Sequence, residues 1–395
     1  MLSQPCRRLG SSTLQIRAQL LDSLKLASFI HPARTFLPCS GVGRHMIGVL
    51  QLLDRRTDVD LCLLFAEQWL ENGRLPGHCP LRDLSFRTIP GNENQRERFW
   101  KMFRLPRLDP GLTRGSDWVY CPMETRLPEM NTPVAITVHD VQPFEVDLPW
   151  SRSRENLRNR RMWSVWLPKS LRESRAIFTV SEFSKRRMVE LLGADERKVV
   201  VSGNGVDDIY FQAGETELSQ LHEAPYILTV GGLRPQKGGG EFLGVAKVLR
   251  KRMPEMRFVV AGGPHDLEMV ARAKEIGGFE FPGIVPDSAM PGLLKDAVCL
   301  LFLSPYEGFG MPPLEAMACG TPAIVSNRAS LPEVVGDAAL VFSPDETGEI
   351  VEAVLSLAED PALRKRWGQK GRARALGFRW AEVANRVYTG LLSRS

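Results

Sequence analysis

Glu307 and Glu315 stand eight positions apart in the string EGFGMPPLEAMACGTPAIVS, around a Gly308-Phe309-Gly310 turn and a Pro312-Pro313 step. The apolar run CLLFL at 299–303 just before them reads as a buried parallel strand. Pro312 and Pro313 lack an N–H but suit the first turn of a helix. A helix is therefore predicted to start there, with Glu307 before it and Glu315 in its first turn. A helix start offers unpaired N–H groups and the positive end of the dipole, so the backbone of Gly308, Phe309, Gly310 and Met311 can approach an anion such as a diphosphate. Carboxylates beside an anion make sense if the rest of the ligand carries hydroxyls, which donate hydrogen bonds to them. A nucleotide sugar combines a diphosphate, a ribose and a sugar. A bare pair of glutamates at this spacing is as readily explained as surface charge favoured at a helix start. The whole string is more particular.

It resembles the signature of the retaining family 4 glycosyltransferases, whose GT-B fold sets two Rossmann-like, doubly wound α/β domains across a central cleft. The resemblance implies that Glu307 contacts the donor sugar and Glu315 the ribose. A second stretch agrees. YILTV at 226–230 reads as a strand running into Gly231-Gly232-Leu233-Arg234-Pro235-Gln236-Lys237-Gly238, and Phe242, Ala246, Leu249 and Met253 follow at helical spacing. Glycines such as Gly232 let the backbone approach phosphates, and Arg234 and Lys237 add charge where a nucleoside diphosphate departs. This looks like the family's diphosphate clamp. FPGIVPD at 281–287 resembles the segment that lines the nucleotide base, which assigns Val285 to it. SLPEVVGDAA at 330–339 matches the family's usual continuation. Residues 226–342 thus read as repeated strand–helix units of a doubly wound sheet.

The first half has counterparts. LKLASFI at 24–30 reads as the first strand, and Ser40-Gly41-Val42-Gly43-Arg44 then opens a helix marked by Ile47, Leu50 and Leu53. The Gly41 and Gly43 turn resembles the family loop near the donor phosphates. PVAITV at 133–138 is a strand that delivers His139 and Asp140 to its C-terminal end, where ligands gather in open α/β sheets. A lone histidine is more often structural, but the matching motif implies that His139 faces the sugar and acceptor. Ser181 is the expected N-cap of a helix ending at Gly193. The expected plan is an extension at 1–22, an acceptor-side domain at 23–207, a linker at 208–223, a nucleotide-sugar domain at 224–375, and a helix at 376–395 crossing back to the first domain.

A length of 395 residues with 43% apolar content suits two such domains. Seven scattered cysteines, without close pairs, suggest a reducing compartment and neither zinc nor disulfides. No apolar run reaches the ~18 residues of a membrane span, and Arg7 and Arg8 lead into no secretory signal. The expected location is cytoplasmic. The net charge of +5 is concentrated at 151–175, with eight Lys or Arg against two Glu and with Trp150, Trp163 and Trp166 in or beside it. This mixture fits peripheral contact with the anionic inner face of the cytoplasmic membrane as well as it fits a solvated helix over buried tryptophans. No nucleic-acid motif accompanies it. Asp58-Val59-Asp60 opens an apolar run and reads as a strand entry, so no metal site is assigned.

The resemblance implies hexosyl transfer from a nucleotide-diphosphate sugar to a glycan or lipid-linked glycan acceptor in polysaccharide biosynthesis, with no cofactor and no metal. Arg234, Lys237 and the Gly308–Met311 backbone would stabilise the departing diphosphate, while Glu307 orients the sugar. The Pro-Pro version of the signature resembles bacterial mannosyl- and rhamnosyltransferases of surface polysaccharide assembly. That favours a GDP-sugar and leaves UDP-sugars open. The alternatives are a nucleotide-sugar 2-epimerase on the same plan and a non-catalytic binding protein of the same fold.

Overall fold

The computed structural model describes residues 23–36, 39–128, 131–215 and 224–394. The expected extension at 1–22 and the second half of the expected linker, 216–223, lie outside them. Two parallel sheets organise the chain. The first contains β1 (Leu24–Phe29), β2 (Val59–Ala66), β3 (Phe86–Ile89), β4 (Trp118–Cys121), β5 (Val134–Val138), β6 (Ala176–Thr179) and β7 (Val199–Val201), in the order β3-β2-β1-β4-β5-β6-β7. The second contains β8 (Tyr226–Val230), β9 (Arg257–Ala261), β10 (Phe279–Gly283), β11 (Cys299–Phe302), β12 (Ala323–Ser326) and β13 (Leu340–Phe342), in the order β10-β9-β8-β11-β12-β13. Both are doubly wound, with the order reversing beside β1 and β8, and a ligand crevice forms at the carboxyl ends of strands at such a point. The central strands are apolar because helices cover both faces; Leu26, for example, pairs with Leu61 and Trp118 and is itself buried.

Seven helices matter for the cleft: α1 (Gly41–Asp54), α2 (Glu93–Phe103), α3 (Arg154–Glu173), α4 (Glu182–Leu192), α5 (Asp208–Ala213), α6 (Met311–Ala318) and α7 (Trp380–Leu392). Ser40 caps α1 by accepting from the Gly43 N–H. α4 is capped by Ser181 and closes at a left-handed Gly193, as its sequence predicts. α6 starts at Met311, so Glu315 falls in its second turn and not its first. The segment read as irregular linker contains α5, which buries Tyr210 and Phe211. Two aromatics in a polar stretch give too short a pattern to read as a helix.

α7 belongs to the first lobe's core, where Trp380, Val383, Val387 and Leu391 pack. The Trp380 ring fills space that only glycine leaves open, because a Cβ at Gly48 would come within 2.4 Å of it. Trp166 and Trp150 are also core residues, only 2% and 8% exposed, so they cannot form the surface aromatic patch weighed from sequence. The solvent face of α3 instead presents Leu157, Met162 and Val165 among Arg154, Arg158, Arg161, Lys169 and Arg172. Asp58, before β2, is held by Arg56 and by the Tyr388 hydroxyl. Among the described residues no helix is long and apolar enough to cross a membrane.

Candidate active site

The carboxyl ends of the two sheets face each other and position the candidate residues. β1 leads to Ser40 and α1, β5 to His139 and Asp140, β8 to Arg234 and Lys237, and β11 to Glu307 and α6. A cavity of about 320 Å³ between the lobes is lined by Gly41, Arg44, His139, Phe309, Gly310, Met311 and Glu315, among others. A second of about 300 Å³ is lined by Gln142, Asn156, Asn159, Arg234, Gln236 and Tyr306, among others. Asp140, Lys237, Glu307 and Gly308 line both, so the cavities meet at these four residues.

At that junction Lys237 Nζ donates to Glu307 Oε1 at 2.6 Å. The acidic loop is fixed from both lobes. The Ser330 hydroxyl donates to the carbonyls of Glu307 and Phe309, and from the first lobe Ser181 Oγ and Ser184 Oγ donate to the Gly308 carbonyl at 2.7 and 3.2 Å. Gly308 is required by this approach, since a Cβ there would sit 2.4 Å from the His139 carbonyl oxygen. The free N–H groups at the start of α4 are satisfied by Glu333 of the second lobe, whose oxygens accept from Glu182 and Phe183.

His139 donates its backbone N–H to Glu124 Oε1 at 2.6 Å, and its Nε2–H reaches the Pro122 carbonyl at 3.2 Å. That contact fixes the tautomer and leaves Nδ1 as an acceptor. Burial lowers its pKa to about 4, so the ring is neutral near pH 7. Asp140 behaves oppositely. Burial first, then Glu124 and Glu307, push its carboxyl up to about 6, against the Gln142 N–H and Lys237. The sequence reading treated Asp140 only as the neighbour of His139.

Glu315 is buried, and burial raises its pKa while Arg44 opposes the rise. Arg44 Nη1 donates to Glu315 Oε1 at 2.5 Å and to the Tyr210 hydroxyl at 3.0 Å, and Nη2 donates to Asp287 Oδ1 at 2.5 Å. Neither Arg44 nor Tyr210 has a role in the reading from sequence alone. The only available signal was a cation directly after the Gly41-Val42-Gly43 turn.

Three candidates line neither of these two cavities. Gly43 packs on the Arg34 carbonyl, with a hypothetical Cβ only 2.0 Å from it, and its N–H faces Ser40. Gly232 packs in the same way on the Pro264 carbonyl, and Val285 leans on the second lobe's core. Arg234 lines the second cavity, and its Nε is buried without a hydrogen-bond partner among the described residues.

Comparison with known proteins agrees with this architecture. Residues 39–209 match the family described as Glycosyltransferase Family 4, and residues 215–374 match Glycosyl transferases group 1. O-antigen chain mannosyltransferase B of Escherichia coli is 31% identical over 280 residues, covering 67% of this chain and 71% of that protein. The alpha-maltose-1-phosphate synthase of Mycobacterium tuberculosis is 29% identical over 284 residues, covering 65% and 71%. Among solved structures, a glycosyltransferase from Rickettsia africae superposes with a TM-score of 0.65 at 16% identity, over 95% of this chain and 100% of that one. Anabaena Alr3699/HepE in complex with UDP-glucose superposes with a TM-score of 0.67 at 14% identity, over 93% and 99%. With both halves matched in order and two doubly wound lobes closing on one cleft, this chain belongs to the family 4 glycosyltransferases and has their GT-B fold.

Proposed function

We propose that the protein is a retaining hexosyltransferase that takes mannose or a related deoxyhexose from a GDP-sugar and adds it, without a metal, to a growing, lipid-linked glycan in polysaccharide assembly. The observation that carries this reading is the junction of the two cavities, where Lys237 and Glu307 are paired and Asp140 and Gly308 close the walls. A nucleoside diphosphate on the Glu315 side would put its phosphates against Lys237 and its sugar at the junction. Lys237 then exchanges Glu307 for phosphate, and Arg234, with its unsatisfied Nε, joins it on the departing diphosphate. Glu307, released from Lys237, accepts sugar hydroxyls and orients the ring. The acceptor enters from the second cavity, whose amides from Gln142, Asn156, Asn159 and Gln236 suit a neutral sugar. Its hydroxyl attacks the anomeric carbon from the face the diphosphate leaves, and the leaving phosphate takes the proton.

The mannose preference is supported by the name of the Escherichia coli relative. UDP stays open because the Anabaena neighbour binds UDP-glucose. The test is calorimetric binding of GDP, UDP, dTDP and ADP without metal, followed by NMR of the product's anomeric configuration. Tightest binding of GDP and a retained anomer are expected. UDP preference replaces the donor, an inverted anomer removes the retaining mechanism, donor conversion without acceptor makes the protein an epimerase, and binding without turnover makes it a binding protein.

A membrane-surface location is favoured by the solvent face of α3 and by its neighbour α2, which exposes Phe99, Met102 and Phe103. Cations flanking exposed apolar side chains suit anionic headgroups. Flotation with vesicles containing anionic lipid, and not with zwitterionic ones, is the expected result; absence from both fractions refutes this contact.

A further inference from the structure

Arg44 is a charged group in the cleft that the roles above leave unused. It stands in the first lobe, in α1, yet its guanidinium holds Glu315 and Asp287 of the second lobe and Tyr210 of α5. The backbone beneath it is fixed. Ser40 caps the helix, and the helix start packs directly on the Arg34 carbonyl at Gly43. Movement is therefore left to the side chain.

The two carboxylates differ in what they lose when Arg44 leaves. Asp287's side chain is 33% exposed and can turn to water, whereas Glu315's is 7% exposed and needs new donors inside the cleft. Ribose hydroxyls would supply them. The same ligand brings a diphosphate, whose oxygens match a guanidinium fork as well as a carboxylate does.

We infer that Arg44 is a donor-positioning residue contributed by the opposite lobe. In the unliganded protein it holds Glu315 and Asp287, and when a nucleoside diphosphate enters it passes from Asp287 to the diphosphate, leaving Glu315 to the ribose and keeping both lobes on the ligand. This inference rests on the nucleotide-sugar reading of the cleft. It makes Asp287 a competitor of the ligand for one cation.

The experiment is titration of GDP and UDP by calorimetry, and of guanosine and uridine by ligand-observed NMR competition, into wild-type protein, Arg44→Gln, Arg44→Lys and Asp287→Asn. Arg44→Gln is expected to weaken the tighter diphosphate about tenfold, the factor of ~1.4 kcal/mol, and its nucleoside by less than about threefold. Arg44→Lys keeps the charge without the fork and is expected to recover part of the loss. Asp287→Asn frees Arg44 and is expected to tighten the diphosphate by about two- to threefold. Equal weakening of nucleoside and diphosphate in Arg44→Gln would reduce Arg44 to a support for Glu315 and overturn the inference, as would undiminished binding. If the glutamine variant does not fold, Asp287→Asn decides: tighter binding supports the exchange, and unchanged or weaker binding overturns it. Folded wild-type protein that binds neither diphosphate removes the donor site and this role together; wild-type binding with an unaffected Arg44→Gln removes the role alone.

Discussion

Replacing Asp140 by asparagine is expected to stabilise the fold above neutral pH. The carboxyl is raised from its ordinary 3.8 to about 6, first by burial and then by Glu124 and Glu307. A carboxyl raised in this way holds its proton more tightly in the folded chain than in the unfolded one. The stability contributed by that proton is complete below pH 3.8 and is lost as the pH rises through 6, above which a charged Asp140 opposes folding. A gap of roughly two units corresponds to about 3 kcal/mol at ~1.4 kcal/mol per unit. Asp140 keeps part of its surface open to the cleft, so solvent screening leaves about 1–2 kcal/mol. Asparagine has no charge to bury, and its Oδ1 can still accept the Gln142 N–H that Asp140 takes at 2.9 Å. Urea unfolding of both proteins across the pH range measures the difference. The variant should be the more stable by about 1–2 kcal/mol near pH 8, and its advantage should shrink as the pH falls through 6. Equal stability near pH 8, or an advantage independent of pH, would show that Asp140 is not held near neutrality by its surroundings.

Glu307→Gln keeps the shape but weakens acceptance of sugar hydroxyls. Turnover should fall by about a hundredfold or more with melting unchanged, and wild-type rates would remove Glu307 from the mechanism. Lys237→Ala should weaken nucleoside diphosphate binding by about ten- to a hundredfold in calorimetry. Unchanged affinity refutes the clamp. Gly308→Ala places a methyl 2.4 Å from the His139 carbonyl, which forces the lobes apart. A loss of about 1–3 kcal/mol in stability, together with weaker nucleotide binding, is expected; unaltered melting and affinity would mean that the contact is not kept in solution.

The elements were legible wherever the signal is local. CLLFL, YILTV and PVAITV became central strands because buried parallel strands are continuous apolar runs, and Ser181 and Gly193 bounded a helix because caps act within a few residues. Glu307 and Lys237 were singled out from separate motifs, and the fold sets them 2.6 Å apart. What sequence could not give is what spans the cleft. Arg44, Tyr210, Asp287 and Glu315 lie on four different segments, and no spacing rule connects them. The raised carboxyl of Asp140 is equally invisible, since it depends on Glu124 and Glu307 facing it. For Trp150 and Trp166 the sequence left a surface patch and buried rings equally open, because a basic segment with tryptophans looks the same whichever side the rings occupy, and their burial favours the second. Gly43 and Gly232 were read as room for phosphate, and on the side where each lacks a Cβ the structure packs a carbonyl.

The seating of α7 in the first lobe bears on how the protein is made. The sheet β1–β7 emerges from the ribosome well before Trp380, Val383, Val387 and Leu391, which complete its core after the whole second lobe has been synthesised. The second sheet has all its strands before that helix exists. Synthesis should therefore reverse the usual amino-to-carboxyl order of domain completion, with the upstream lobe kept open until the downstream one is finished. A chain broken off before Trp380 would have a finished second lobe and an unfinished first lobe. Catalytic competence would thus be tied to translation having passed α7.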